Sequence, residues 1–130
     1  MARPRHENPT PGELEVLQVI WDRGPCTVRQ VMSVLNQTRR RAYTSIMSLM
    51  NIMDEKGLLR REPKGRAFVY KTRATRKKTL SKMVADLLGR AFDGSASEMV
   101  AHLLEQTKPS KDELEEIRKT ISTYRQKRGR

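Results

Sequence analysis

The sequence predicts a mainly α chain carrying one small β-hairpin, in two parts: an N-terminal winged helix-turn-helix over residues 10–73 and a C-terminal three-helix unit over residues 74–125. Three observations predict it. Residues 39–53 begin with three consecutive arginines and continue as an amphipathic helix whose outer face holds small hydroxyls, with no acid before Asp54. Directly after that helix, two short β-like runs, Leu58–Glu62 and Ala67–Tyr70, enclose a Pro-Lys-Gly-Arg turn. Three further stretches of helical apolar period follow, separated by Asp93-Gly94-Ser95 and by Lys108-Pro109.

Charge bounds the function. The chain has 130 residues and a formal net charge of +12. The excess is spread: 14 basic against 7 acidic residues up to Arg73, and 13 against 8 beyond it. Such a balance favours an acidic polymer or an anionic membrane surface as partner. No apolar run is long enough to span a bilayer, so no membrane insertion is expected, and the first residues form no hydrophobic signal core. A single cysteine, Cys26, cannot form an intrachain disulfide. These features together lead to the expectation of a cytoplasmic protein.

Residues 1–9, with Arg3, Arg5 and two prolines, read as a flexible arm. Thr10, Pro11 and Glu13 then form a helix start with a capping box, and Leu14, Leu17, Ile20 and Trp21, with Val16 beside them, form the buried stripe of a helix ending near Asp22. Trp21 reads as a core side chain. Arg23-Gly24-Pro25-Cys26 breaks the chain, and Cys26 reads as a semi-buried filler. Thr27 caps a short helix whose Val28, Val31, Met32 and Leu35 share one face.

The next helix carries Ala42, Ile46, Leu49, Met50 and Met53 on its apolar stripe and stops at Gly57. Tyr43, Thr44, Ser45 and Ser48 lie off that stripe near its N-terminus. On this helix alone two readings stay open, an amphipathic helix with an uncharged face or a recognition helix entering a major groove. Three helices followed by a basic hairpin select the second, a winged helix. Tyr43, Thr44, Ser45 and Ser48 are then the candidate base-reading residues, and Arg39, Arg40, Arg41, Lys64 and Arg66 the candidate phosphate contacts.

The C-terminal helices are expected over about Arg76–Phe92, Ala96–Glu105 and from Ser110 on, the last with acids in its first turns and bases near its end, and residues 126–130 as a basic tail. So small a unit can hardly bury its own apolar stripes. A second copy is the expected cover, with Leu80, Leu87, Leu103, Leu104 and Ile117 in a homodimer interface; a self-contained three-helix bundle is the alternative. Catalysis finds no support, because His6 and His102 stand apart from Cys26 and there is no phosphate loop or metal-ligand spacing. No cofactor is expected. Three functions fit in descending order: a sequence-specific repressor on double-stranded DNA, a winged-helix adaptor binding a protein, and a nucleic-acid packaging protein.

Five segments taken in order make the resemblance specific: Thr10–Leu17 (TPGELEVL), Ile20–Val28 (IWDRGPCTV), Ala42–Ile46 (AYTSI), Glu55–Leu59 (EKGLL) and Ser110–Ile117 (SKDELEEI). Over about Thr10–Ser122 the chain resembles the penicillinase-repressor family, the BlaI and MecI type. The resemblance implies a winged helix with a helical dimerisation domain, and a homodimer that represses β-lactamase or related operons by binding an inverted-repeat (palindromic) operator. It further implies release by proteolysis of the dimerisation domain, driven by a membrane sensor metalloprotease, with His102 and Leu103 marking the possible cleavage region. A copper-responsive branch carries a cysteine-rich C-terminal metal motif, which the last residues here do not. Two positions depart from the resistance repressors. Ile52 stands where they carry an arginine on the recognition helix, and His102-Leu103 where they carry an Asn-Phe pair.

Overall fold

The computed structural model describes residues 8–129; residues 1–7 of the expected arm, and Arg130, lie outside them. Three helices open the chain: α1 (Pro11–Arg23), α2 (Val28–Leu35) and α3 (Tyr43–Lys56). An antiparallel hairpin of β1 (Leu59–Lys64) and β2 (Ala67–Thr72) follows, then α4 (Arg76–Phe92), α5 (Ala96–Thr107) and α6 (Lys111–Arg128). The chain divides into two compact units, one running to Val84 and the other beginning at Ala85.

Local chemistry explains where the elements start and stop. Thr10 caps α1 in a reciprocal box: its hydroxyl accepts from the Glu13 amide at 3.2 Å, and the Glu13 carboxylate accepts from the Thr10 amide at 3.0 Å. Thr27 and Gln30 repeat the device at α2, with bonds of 3.2 and 2.8 Å. Gly57 ends α3 at φ 86°, a left-handed conformation that a side chain would strain.

The hairpin is longer than its sequence suggests. Leu59 pairs with Thr72 and Lys64 with Ala67, leaving a two-residue tip of Gly65, at φ 63°, and Arg66. Pro63, expected in the turn, lies in β1 opposite Phe68. An edge strand tolerates it, because the missing amide is not needed by a further neighbour. The inner edge belongs to β2, where Cys26 adds a one-residue bridge: the Cys26 amide donates to the Tyr70 carbonyl at 3.1 Å, and the Tyr70 amide returns a bond at 2.8 Å. The segment between α1 and α2 is thereby a third, minimal strand of the sheet, and Cys26 is fully buried in it rather than semi-buried.

One core serves this unit. Val16, Leu17, Val19 and Ile20 of α1 meet Val28, Val31 and Leu35 of α2, Ile46, Met50 and Met53 of α3, and Leu59 and Tyr70 of the hairpin. Val19 joins the stripe anticipated on α1, while Leu14 and Trp21 sit at its margin. Trp21 instead donates its indole N–H to the Ala74 carbonyl at 3.1 Å, holding the chain as it leaves β2. Ala42, expected on the α3 stripe, is the exposed N-cap residue.

The remaining helices are different in kind. No residue of α4, α5 or α6 is buried. Leu80, Leu104 and Ile117 are half-buried and Leu87 and Leu103 exposed, as are Val84, Val100, Leu114, Ile121 and Tyr124. Much of the apolar stripe of each helix is thus open in the single chain. α6 also continues through Arg128, so Gln126–Arg128 are helical rather than part of a separate tail. Its last turn gathers Arg125, Lys127 and Arg128, where the helix dipole favours cations.

Candidate nucleic-acid interface

Helix α3 buries Ile46, Met50 and Met53 and thereby turns the opposite side outward. Thr44 and Ser48 stand on the outermost line, one turn apart, with Ser45 and Ile52 on one flank and Met47 and Asn51 on the other. Thr44, Ser45 and Ser48 are exposed, as is Ile52. Four of the residues singled out for base reading therefore separate into three that face outward and one, Tyr43, that does not. Tyr43 is half-buried beneath Arg29 of α2, whose guanidinium lies 4.8 Å above its ring centre. Stacking holds the Tyr43 ring at the junction of α2 and α3.

The arginine run also divides. Arg39 and Arg40 are exposed. The Arg41 side chain is only 12% exposed and is used internally. Its Nη1 donates to the carbonyls of Leu35 at 2.6 Å and Arg39 at 2.8 Å, and its Nη2 meets Glu15 of α1 at 3.0 Å. The Leu35 carbonyl, at the end of α2, also accepts from the Thr38 amide at 3.2 Å and the Arg39 amide at 3.3 Å. The Asn36 side chain completes the turn, accepting from the Arg41 amide at 2.8 Å and donating to its carbonyl at 3.3 Å. Arg41 therefore shapes the connection into α3, and its guanidinium is withdrawn from the phosphate-contact role assigned to it from sequence.

Lys64 and Arg66 stand exposed at the hairpin tip. On the outer face of the hairpin, Glu62 lies between Arg60 at 2.9 Å and Lys71 at 3.2 Å. The Lys71 ammonium, with Arg60 behind it, holds the Glu62 carboxyl below the usual carboxylate range. Two hairpin cations are thus partly neutralised, which leaves the tip as the more strongly positive part.

The inner face of the hairpin carries residues that sequence reasoning missed. Strand alternation puts Leu59, Arg61 and Pro63 on one side of β1 and Phe68, Tyr70 and Thr72 facing them on β2. Leu59 and Tyr70 enter the core. Arg61, farther out, lies over Phe68 at 4.4 Å and donates to Asn51 of α3 at 3.2 Å. The buried Tyr70 donates its hydroxyl to the same Asn51 oxygen at 2.9 Å. Between α2, α3 and the hairpin a cleft of about 380 Å³ remains, lined by Arg29, Tyr43, Met47, Asn51, Arg61 and Arg66, among others. The signal for Arg61 was available: two-residue alternation from the apolar Leu59 puts it on the inner face. The pairing with Asn51 was not, because it joins elements whose relative placement only the packed core determines.

This arrangement presents short hydrogen-bonding groups and positive charge to solvent. Short hydroxyls face outward on α3, and Arg39, Arg40, Lys64 and Arg66 stand exposed around them. Among the described residues no three His, Cys, Asp or Glu side chains gather as metal ligands. Among the same residues no helix is long and apolar enough to cross a membrane.

The family described as penicillinase repressor matches residues 9–123 of the chain. The penicillinase repressor of Bacillus licheniformis is 25% identical over 116 residues, which cover 89% of this chain and 91% of that protein. The transcriptional regulator BlaI of Mycobacterium tuberculosis is 30% identical over 115 residues, 85% of this chain and 82% of its own length. The methicillin resistance regulatory protein MecI of Mammaliicoccus sciuri is 21% identical over 110 residues, 85% of this chain and 89% of its own.

Proposed function

The chain belongs to the penicillinase repressor family, a family of transcriptional repressors and not of enzymes, and from that premise we propose that it is a homodimeric repressor of an inverted-repeat operator. The observation that carries the DNA-reading half of this proposal is the outward line of Thr44 and Ser48 on α3, set among the exposed cations Arg39, Arg40, Lys64 and Arg66. Hydroxyls at those positions donate to or accept from base edges, and the cations release counterions from the backbone. Ile52, exposed on the same helix where the resistance repressors carry an arginine, gives this protein an operator of its own.

The dimer half is supported by burial. Leu87 is 49% and Leu103 55% exposed on helices that bury nothing in the single chain. A second copy covering these faces with its own would remove that area from water at roughly 25 cal/mol per Å². Two reading heads in one particle bind a repeat far more tightly than either alone, since the second contact is intramolecular.

Release by proteolysis within α5, through a membrane sensor metalloprotease, fits the same logic. Cutting a helix that carries dimer contacts separates the heads without any bound effector. His102 and Leu103 are exposed on α5, and left-handed residues, Asp93 at φ 51° and Lys108 at φ 46°, flank the helix on either side.

The test is binding of the full chain to random and to selected duplex DNA over a range of salt. A repressor shows both a salt slope and a preferred sequence. A packaging protein shows the slope alone, and an adaptor shows neither. Following intact protein in its host during derepression tests the release step: full-length chain at constant abundance while transcription rises contradicts cleavage.

A further inference from the structure

The geometry points to Asn51 as a base-reading residue locked in a donor-only orientation, an inference that rests on the repressor reading above and deepens it. Asn51 lies on α3 three residues after Ser48, on the flank facing the hairpin. Its Oδ1 accepts two hydrogen bonds, from the Tyr70 hydroxyl at 2.9 Å and from Arg61 Nη1 at 3.2 Å. A guanidinium carries donors and no acceptor, so the amide atom facing Arg61 is the oxygen. Tyr70, meeting the same atom, donates as well.

Both donors are held by groups other than Asn51. Tyr70 is 2% exposed and bonded through its backbone to Cys26, and Arg61 lies against the Phe68 ring at 4.4 Å. Turning the carboxamide over would set its NH₂ against the guanidinium and leave the tyrosine to reverse its bond. The lock is therefore imposed from the hairpin onto the reading helix. Both bonds fall on Oδ1, which leaves Nδ2 as the amide's donor side, and Asn51 is half-buried where it lines the cleft between α3 and the hairpin.

An unconstrained asparagine reads adenine with both halves of its amide, accepting from N6 and donating to N7. Asn51 has no free acceptor for N6. It can meet acceptors only, and guanine presents two of them, N7 and O6, side by side in the major groove. At the base pair it faces, Asn51 thus selects guanine and disfavours adenine, whose amino group is left facing another donor.

The experiment is base-by-base substitution of the protein's selected site, read as relative affinity of the full chain. Wild type is expected to favour guanine over adenine at one position of each half-site, and Asn51→Ala to lower that preference roughly tenfold or more, the scale of a good base contact. Combining Arg61→Ala with Tyr70→Phe frees the amide, and adenine should rise to near parity with guanine at that position. If the double variant does not fold, Arg61→Ala alone, at an exposed residue, together with 7-deazaguanine at that position of the wild-type site, carries the same test: a partial rise for adenine, and loss of the guanine preference on removing N7. An Asn51→Ala protein that loses affinity evenly on all sequences overturns the assignment in favour of a phosphate contact, and one unchanged in both affinity and preference overturns it outright. A wild-type protein with no sequence preference overturns the repressor reading, and this inference with it, which sets that failure apart from the first two.

Discussion

The guanidinium of Arg41 meets the carboxylate of Glu15 at 3.0 Å while its other nitrogen donates to the last carbonyl of α2. One side chain thereby ties α1, the end of α2 and the entry to α3. Arg41→Ala should lower stability by roughly 1–3 kcal/mol, because it removes the charge-assisted hydrogen bonds of a guanidinium only 12% exposed, while the Leu35 carbonyl keeps its bonds from the Thr38 and Arg39 amides. Arg39→Ala and Arg40→Ala should leave the urea midpoint almost unmoved, yet weaken binding to all DNA alike and reduce the salt slope by about one each. Chemical unfolding and salt titration of the three variants separate the roles; equal effects of all three on both readouts would contradict the division.

A second ion pair carries more of the fold. Lys56 Nζ lies 2.9 Å from Glu13, whose side chain is 4% exposed, and joins the end of α3 to the start of α1. Lys56→Ala strands a buried carboxylate with only its cap bond. The expected loss is about 3 kcal/mol, the low end for breaking a buried pair because Lys56 is itself one-third exposed. Adding Glu13→Gln should recover part of it, since the stranded charge is then removed. A melting curve for each variant checks this.

The core was readable where a single local rule applied. The Thr10–Glu13 capping box, the Thr27 cap, the stripes of α1 to α3 and the Gly57 stop follow from residues within a few positions of one another. What was missed depends on tertiary placement. Arg41 looked like the third of three equivalent arginines, and only its position over the end of α2 shows that it is spoken for. Cys26 looked like turn filler because a one-residue strand has no periodicity. Tyr43 looked outward, although it stands three residues before Ile46 and seven before Met50, a phase that sets it at the edge of the buried stripe, where Arg29 covers it.

Cys26 should be unreactive in the folded protein. Burial pushes its thiol above the usual range, against a smaller opposing influence from Arg23, and Sγ–H donates to the Gly24 carbonyl at 3.2 Å. The thiolate is therefore scarce at neutral pH as well as inaccessible. Labelling by a thiol reagent should follow the rate of global opening and rise steeply only with denaturant; rapid labelling of the native chain would show that the bridge to Tyr70 opens readily.

Thr44 and Ser48 should carry sequence discrimination without carrying stability. Both are exposed, so alanine at either position leaves the core packing as it was. Together the two changes should relax the preferred site by about 1–3 kcal/mol for each hydroxyl that meets a base edge, with little change in melting. Selection of binding sites by the double variant reads this directly, and an unaltered preferred site would move the reading face elsewhere on α3.

The central claim is that two chains read one inverted repeat, and stoichiometry tests it most directly. Sedimentation of the full chain with a selected repeat and with an isolated half-site should show two chains on the repeat, bound far more tightly than one head on the half-site. Leu103→Glu places a charge on a side chain 55% exposed in the single chain, so the fold should survive while the pair dissociates and the repeat loses its advantage. A single chain bound to the repeat with the same affinity as to the half-site, unchanged by Leu103→Glu, would contradict the account.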